Sequence, residues 1–314
     1  MRVCDVQRGV PVHRPVLVDT VLAHLVPVLL EAGPNALVVD GTVGLGGHAA
    51  ALLEAAPDAR LLGIDRDPSA LEAATRRLEP FARRVRLVHG NAADWRTHVG
   101  EADLGWPTAL LLDLGVSSPQ LDVASRGFSF RQDGPLDMRM DPTSGATAAD
   151  LLGRLRLEEL SDILYEYGEE RHARRIARHL VESNRRVPIR TTRALADAVL
   201  AAIPAGARRP GPDHPARRTF QALRIAVNDE LGSLERALDA GLGMLVPGGR
   251  IVVIAFHSLE DRIVKRAFRA GHDEGRLAVL TRRPTVAGAA ERRENPRARS
   301  AKLRAAERTA GGPD

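Results

Sequence analysis

Asp40-Gly41-Thr42-Val43-Gly44-Leu45-Gly46-Gly47-His48 is the stretch of this 314-residue chain that decides its fold. It follows the apolar run Ala36-Leu37-Val38-Val39 and precedes a helix pattern through Ala56, with Pro57 just past it. An apolar run that ends in an acid and a glycine turn is the signature of a buried parallel strand opening into a helix. Glycines in such a turn let the backbone approach a ligand, and the first amides of the helix point at it. The spacing Gly44-Leu45-Gly46-Gly47 is neither the G-x-G-x-x-G of dinucleotide enzymes nor the G-x-x-x-x-G-K-[ST] of phosphate loops. By itself, then, the turn specifies only a nucleotide-like cofactor. Asp40 narrows the choice. A carboxylate at the end of the first strand repels a pyrophosphate and favours a ligand carrying an ammonium and a sulfonium, which describes S-adenosylmethionine.

Outward from the turn, strands alternate with helices. Arg60-Leu61-Leu62-Gly63-Ile64-Asp65 is the second strand, and Asp65 at its end is placed to meet ribose hydroxyls. The helix Pro68 to Leu78 follows, then the strands Val85–His89 and Thr108–Asp113. This alternation predicts an α/β fold with a parallel sheet covered by helices on both faces, the class I (Rossmann-like) arrangement. It breaks after about Gln120. Helical patterns then cover Ala146–Leu155, Leu157–Asn184 and Thr192–Ile203. The proline- and arginine-bearing stretch Ala205–Arg218 is expected to be a linker or exposed loop. Phe220 to Leu245 is one long helix pattern, closed by Pro247-Gly248-Gly249, and Arg250–Phe256 is another buried strand. The expected organisation is one α/β domain formed by residues 1–124 and 217–314, with residues 125–216 inserted as a helical domain. The tail from Arg282 to Ser300, charged and proline-bearing, is expected to be partly mobile until it packs.

Composition bounds the function. Hydrophobic residues make up 44% and charged residues 27%, enough for a sizeable core in a water-exposed protein. No apolar run approaches the roughly 18 residues of a membrane span, since Asp19, His24 and Pro27 interrupt Val16–Leu30. The N-terminus lacks a signal-peptide layout. Cys4 is the only cysteine, which excludes an intramolecular disulfide framework and a thiolate metal cluster. No metal site is expected, and the cytoplasm is the expected compartment. Lys plus Arg number 45 against 40 Asp plus Glu, an excess that permits a polyanionic partner. The run Arg171–Arg178 is either a solvated face or a contact for phosphates.

In an open α/β sheet, ligands bind beyond the carboxyl ends of the strands. The loop Asp113-Leu114-Gly115-Val116-Ser117-Ser118-Pro119-Gln120 therefore faces the transferred methyl group. Ser117, Ser118 and Pro119 resemble the [DNS]-P-P-[YFW] loop of enzymes that methylate exocyclic amines, with one proline and no aromatic. There a side chain and a backbone carbonyl hold the NH2 so that its lone pair, otherwise delocalised into the ring, points at the sulfonium. His48 either caps the first helix or meets the cofactor's carboxylate. Ser258-Leu259-Glu260-Asp261 fits a helix capping box, with His257 beside it as a candidate pocket residue. Phe128 and Phe130 either stack on a base or pack their own loop.

The chain resembles the bacterial 16S ribosomal RNA cytosine-N4 methyltransferases, the small-subunit methyltransferase H family, along nearly its whole length. The carriers are His13-Arg14-Pro15-Val16-Leu17, Asp40-Gly41-Thr42 with Gly46-Gly47-His48, and Ile64-Asp65-Arg66-Asp67-Pro68. They continue with Leu112 to Asp122, Arg126-Gly127-Phe128-Ser129-Phe130, Asp133 to Asp141, Tyr167 to Arg171 and Arg218 to Arg224. Phe256 to Lys265 and Asn295 to Ser300 complete the set. The resemblance implies S-adenosyl-L-methionine as cofactor and N4 of a cytidine in the ribosomal decoding region as acceptor; another RNA or a DNA amine is the alternative. It implies 16S rRNA or the small ribosomal subunit as partner, no membrane, and allows a homodimer. It also implies cofactor contacts from Gly46, Gly47, His48, Asp65, Asp113 and Gln120. Where related sequences place an aromatic against the adenine, this chain has Ala92, with Trp95 one turn later as the other candidate. The cytosine must leave its stack to react, and direct displacement needs positioning and a dry pocket more than a general base.

Overall fold

The protein is described by a computed structural model over residues 14–204 and 214–310, with the side chains of Ser118 and Leu242 left aside. Cys4, His13 and most of the stretch expected to be a linker lie outside these residues. Eight strands form one sheet: β1 (Leu37–Asp40), β2 (Arg60–Asp65), β3 (Val85–His89), β4 (Ala109–Asp113), β5 (Arg250–Ala255), β6 (Leu277–Val279), β7 (Thr285–Val286) and β8 (Lys302–Arg308). Their order is β3-β2-β1-β4-β5-β8-β6, with β7 also on β8. The first five are parallel, and β8 runs antiparallel to both β5 and β6. This is the expected Rossmann-like sheet, with its order reversing beside β1 so that β1 and β4 flank the crevice.

Successive strand residues point to opposite faces, and here both faces are buried. Val38, Leu61, Leu111 and Val252 pack under α1 (Val18–Ala32) and α2 (Gly47–Ala55). Leu37, Leu62, Leu110 and Ile251 pack on the other side. That second layer holds α4 (Trp95–Ala102), α11 (Glu230–Met244) and α12 (Ser258–Asp273), numbered after α3 (Pro68–Arg77), α5 (Ser118–Asp122), α6 (Ala148–Arg154), α7 (Leu157–Glu166), α8 (Ala173–Arg186), α9 (Thr192–Ala202) and α10 (Arg217–Asn228). Burial on both sides is why these strands read as unbroken apolar runs.

The insert has its own core, built from Leu136, Met138, Leu152, Leu160, Leu164, Ile176, Leu180, Leu195 and Val199. Ala216, Phe220, Ala222 and Leu223 complete it, so α10 closes the helical unit as well as leading back to the sheet. Three sequence expectations change. The pattern Phe220–Leu245 is two helices, because Asp229 turns left-handed at φ 46° and Asn228 is drawn away to the chain at Met138 and Met140. Leu157–Asn184 is also two helices, broken around Gly168 and Glu169, the latter at φ 49°. The tail contains α13 (Ala289–Glu294) and leads into β8, which the charged sequence concealed and which sits inside the sheet.

Entry to the insert is tight. Gly127 has φ +74°, and a Cβ there would lie 2.4 Å from the Pro135 carbonyl oxygen. Gly127→Ala is expected to lower unfolding free energy by about 2 kcal/mol or more, from left-handed strain and a backbone clash. Gly153→Ala, on an exposed turn of α6 with nothing near its Cβ, is expected to raise it by about 0.5–1 kcal/mol. Urea titration of the two variants checks both signs.

Candidate cofactor and acceptor site

Three acids meet at the carboxyl edge of the sheet. Asp40 is level with Gly63 on β2 and Leu111 on β4, so Asp65 and Asp113 each stand two residues further along their own strands. The glycine turn is laced across them. Asp40 Oδ1 accepts from Thr42 N at 3.2 Å, and Asp65 Oδ2 accepts from Gly44 N at 2.8 Å. Asp113 N donates to Thr42 Oγ1 at 2.6 Å. Gly44 and Gly46 take φ +52° and +75°, the left-handed region where a side chain is strained. A Cβ on Gly41 would lie 2.6 Å from Leu112 Cδ2 and 3.2 Å from Ala92 Cβ; one on Gly47 would lie 2.6 Å from Pro15 Cγ. The turn thus stays thin, and Ala92 lies against its start.

Burial sets the electrostatics. It pushes the Asp40 carboxyl up to about 7, against the opposing pull of His48 and the Thr42 amide. It pushes Asp113 to about 7 as well, with the charge of Glu260 adding to the effect. Asp65 is raised by burial although it accepts from the Gly44 and Asp67 amides. Asp113 Oδ1 is buried with no hydrogen-bond partner among the described residues. His48 Nε2 donates to the Val16 carbonyl at 2.9 Å, so the ring proton sits on Nε2 and the Nδ1 lone pair faces Asp113 Oδ2 at 3.5 Å. Burial lowers the His48 pKa, keeping the ring neutral. Three desolvated carboxyls beside a neutral histidine favour a cationic ligand.

The loop between β4 and α5 is held from an unexpected direction. Ser117 N donates to Gln120 Oε1 at 3.0 Å, and Gln120 Nε2 donates to Asp67 Oδ2 at 2.9 Å. Arg126 reaches the same Asp67 oxygen at 2.6 Å and donates to the Arg139 and Met140 carbonyls. Asp67 Oδ1 meanwhile accepts from Ser69 N and Oγ, capping α3. Burial works to raise this carboxyl, but the Ser69, Arg126 and Gln120 bonds hold it below the usual carboxylate range. Both ends of Gln120 are therefore engaged within the protein, and Ser117–Pro119 form the start of α5. The Ser118 side chain lies outside the described atoms. Asp67 and Arg126 stand in the family motifs, but sequence alone assigns neither a role, although Asp67-Pro68-Ser69 carries the Asp-before-Pro signature of a helix cap.

Other candidates resolve into packing. Trp95 is fully buried and its Nε1 donates to the Ala237 carbonyl at 3.0 Å, so it belongs to the core and does not replace an adenine-facing aromatic. Phe128 is buried in the insert core, and Phe130 lies 5.1 Å edge-on to Phe220 and 4.5 Å from His214. The capping box of α12 begins one residue earlier than its serine suggests. Glu260 Oε2 accepts from Phe256 N at 2.7 Å and His257 N at 3.2 Å, while Ser258 Oγ donates to Glu169 and Asp261 accepts from Arg304. Glu230, His257 and Glu260 cluster closely enough to suggest a cation. Arg224, however, donates to both Glu230 oxygens at 2.7 and 2.8 Å, so that charge is already balanced. Burial opposes ionisation of Glu260, but His257 and Arg224 hold its carboxyl low.

The family model of the MraW methylase family matches residues 11–309. The chain is 53% identical over 313 residues to the ribosomal RNA small subunit methyltransferase H of Geobacter sulfurreducens, covering 94% of this chain and 98% of that one. It is 50% identical over 313 residues to the protein of the same name from Thermobifida fusca, covering 95% and 94%. The chain belongs to the MraW methylase family. Within this member of the MraW family, no helix among the described residues is long and apolar enough to cross a membrane.

The Asp40 carboxyl takes up its proton near pH 7 when folded and near 3.8 when unfolded. Its contribution to stability is therefore complete below pH 3.8 and lost as pH rises through about 7. Asp40→Asn, which cannot ionise, is expected to be more stable than the parent chain at pH 8 by on the order of 2 kcal/mol, a gap that narrows at pH 5. Denaturant midpoints at the two pH values check this.

Proposed function

We propose that this chain transfers a methyl group from S-adenosyl-L-methionine to N4 of a cytidine in the decoding region of 16S ribosomal RNA, acting on the small subunit in the cytoplasm. The observation that carries this reading is the trio of buried carboxyls at a glycine turn, with Asp113 Oδ1 lacking a donor. Such a donor set fits an ammonium- and sulfonium-bearing cofactor and opposes a pyrophosphate. The names borne by the half-identical relatives support ribosomal RNA as the acceptor.

When bound, the cofactor supplies an electrophilic methyl group on sulfur. The chain's residues supply the rest. Gly46 and Gly47 keep the backbone close, and His48 stays neutral at the start of α2. Each Asp65 oxygen already accepts one backbone N–H and retains capacity for a ribose hydroxyl. Asp40 and Asp113 favour the cationic part, Ala92 packs against Gly41 at the start of the turn, and Gln120 serves by fixing the loop. Ser117, Ser118 and Pro119 hold the target amine in line, its base turned out of the stack. A dry site then strengthens these contacts. Residues 125–216 are assigned to recognition of the RNA.

Asp65→Ala is expected to weaken S-adenosylmethionine binding about 10- to 100-fold, the scale of losing hydrogen bonds to a charged group. An unchanged dissociation constant in calorimetry would remove the ribose assignment. For the acceptor, 16S rRNA from cells lacking this protein is expected to lose one N4-methylcytidine in the decoding region, read by mass spectrometry. An unaltered methylation pattern would overturn the proposed substrate, and methylation of duplex DNA in its place would favour the DNA alternative.

A further inference from the structure

Helix α8 divides sharply. Ala173, Ile176, Ala177, Leu180 and Val181 are buried in the insert core. A helix turns about 100° per residue, so Arg174, Arg178 and Arg185 fall within about 40° of one another along one flank of that buried face, continued backward by Arg171. All four are exposed. Among the described residues, none of the four has a hydrogen-bond or ion-pair partner. Arg175 differs, because its Nε donates to the Ala202 carbonyl at 2.6 Å and so caps the end of α9. From Arg174 to Arg185 the stripe runs about 16 Å at 1.5 Å per residue.

Stability does not explain this arrangement. Arg174 stands in the first turn of α8, which contains no acid, where the helix dipole disfavours a cation. Arg174 and Arg178 are four apart, a like-charge spacing that costs a few tenths of a kcal/mol. With His179, Glu182 and the end of α9 they line an open groove of about 470 Å³, in which Glu182 is the one carboxylate.

The stripe also begins at the reactive edge of the sheet. Glu169, two residues before Arg171, accepts from Ser258 Oγ at 2.8 Å and Arg262 at 3.2 Å. Ser258 opens α12 directly beyond the carboxyl end of β5.

We infer that the α8 arginine stripe is a phosphate track, along which the RNA backbone flanking the target nucleotide leaves the reaction site. This rests on the proposed RNA substrate and adds where its backbone lies. Contacts to phosphate position the strand without reading its sequence and release bound counterions.

The test uses the full chain carrying Arg174→Ala with Arg178→Ala, and small ribosomal subunits purified from cells lacking this protein. Affinity for the particles is expected to fall about tenfold or more, and the slope of log K against log salt to shrink by about 1.4–1.8, two phosphates' worth. KM for the particles should rise while kcat and the cofactor dissociation constant stay at parental values, which also shows that the variant is folded. Glu182→Gln is expected to act oppositely, tightening binding two- to threefold. If the double variant keeps the parental salt slope and KM, the stripe is a solvated face and the inference falls, with the proposed function intact. If the parent chain itself fails to methylate the particles, it is the proposed function that fails.

Discussion

One buried carboxylate ties the molecule together. Asp67 is 1% exposed, caps α3 with one oxygen, and with the other accepts from Gln120 and Arg126. Gln120 belongs to the loop after β4, and Arg126 to the first residues of the insert. Besides the start of α3, two segments distant in sequence are thus fixed to the end of β2 by a single side chain. A buried ion with every partner in place resists displacement, because losing any one leaves charge unsatisfied. The loop after β4 and the insert are therefore held relative to the glycine turn by electrostatics as well as by packing.

The three acids at the strand ends are in the opposite condition. Asp40 and Asp113 are desolvated without enough donors, and burial lifts their pKa toward neutrality. A fold seeking stability alone would place apolar groups there. Retaining carboxyls in that position stores unfavourable energy, which the cationic ligand proposed above would relieve on binding. Asp67 is satisfied and held ionised, whereas Asp113 is orphaned at one oxygen, a contrast that their positions in sequence do not reveal and that supports the ligand-facing role proposed for Asp113.

The insert follows the same economy. Its apolar interior takes Phe128, Phe220 and the inner side of α8, so Phe128, a candidate for stacking on a base, is used for packing. Along α8 it presents Arg174, Arg178 and Arg185 outward. On the proposed reading, recognition of RNA by this unit leans on backbone charge and shape.

The sequence alone determined the parallel sheet, the glycine turn with Asp40 and Asp65, and the presence of a helical insert, because each leaves a local trace: an apolar run, a spacing, a change of period. Contacts across long sequence separations leave no such trace. The Asp67–Gln120–Arg126 junction spans 59 residues, and β8 joins the sheet from a charged tail because its alternate residues Leu303 and Ala305 pair beside β5. Likewise Asp229 ends a helix that periodicity would continue, because Asn228 is held by Met138 and Met140, about ninety residues earlier. Trp95 reads as a possible cofactor platform until the core claims it. Local pattern sets which elements form, and tertiary packing decides which of their side chains remain for chemistry, since burial and hydrogen-bond satisfaction depend on neighbours the chain brings from far away.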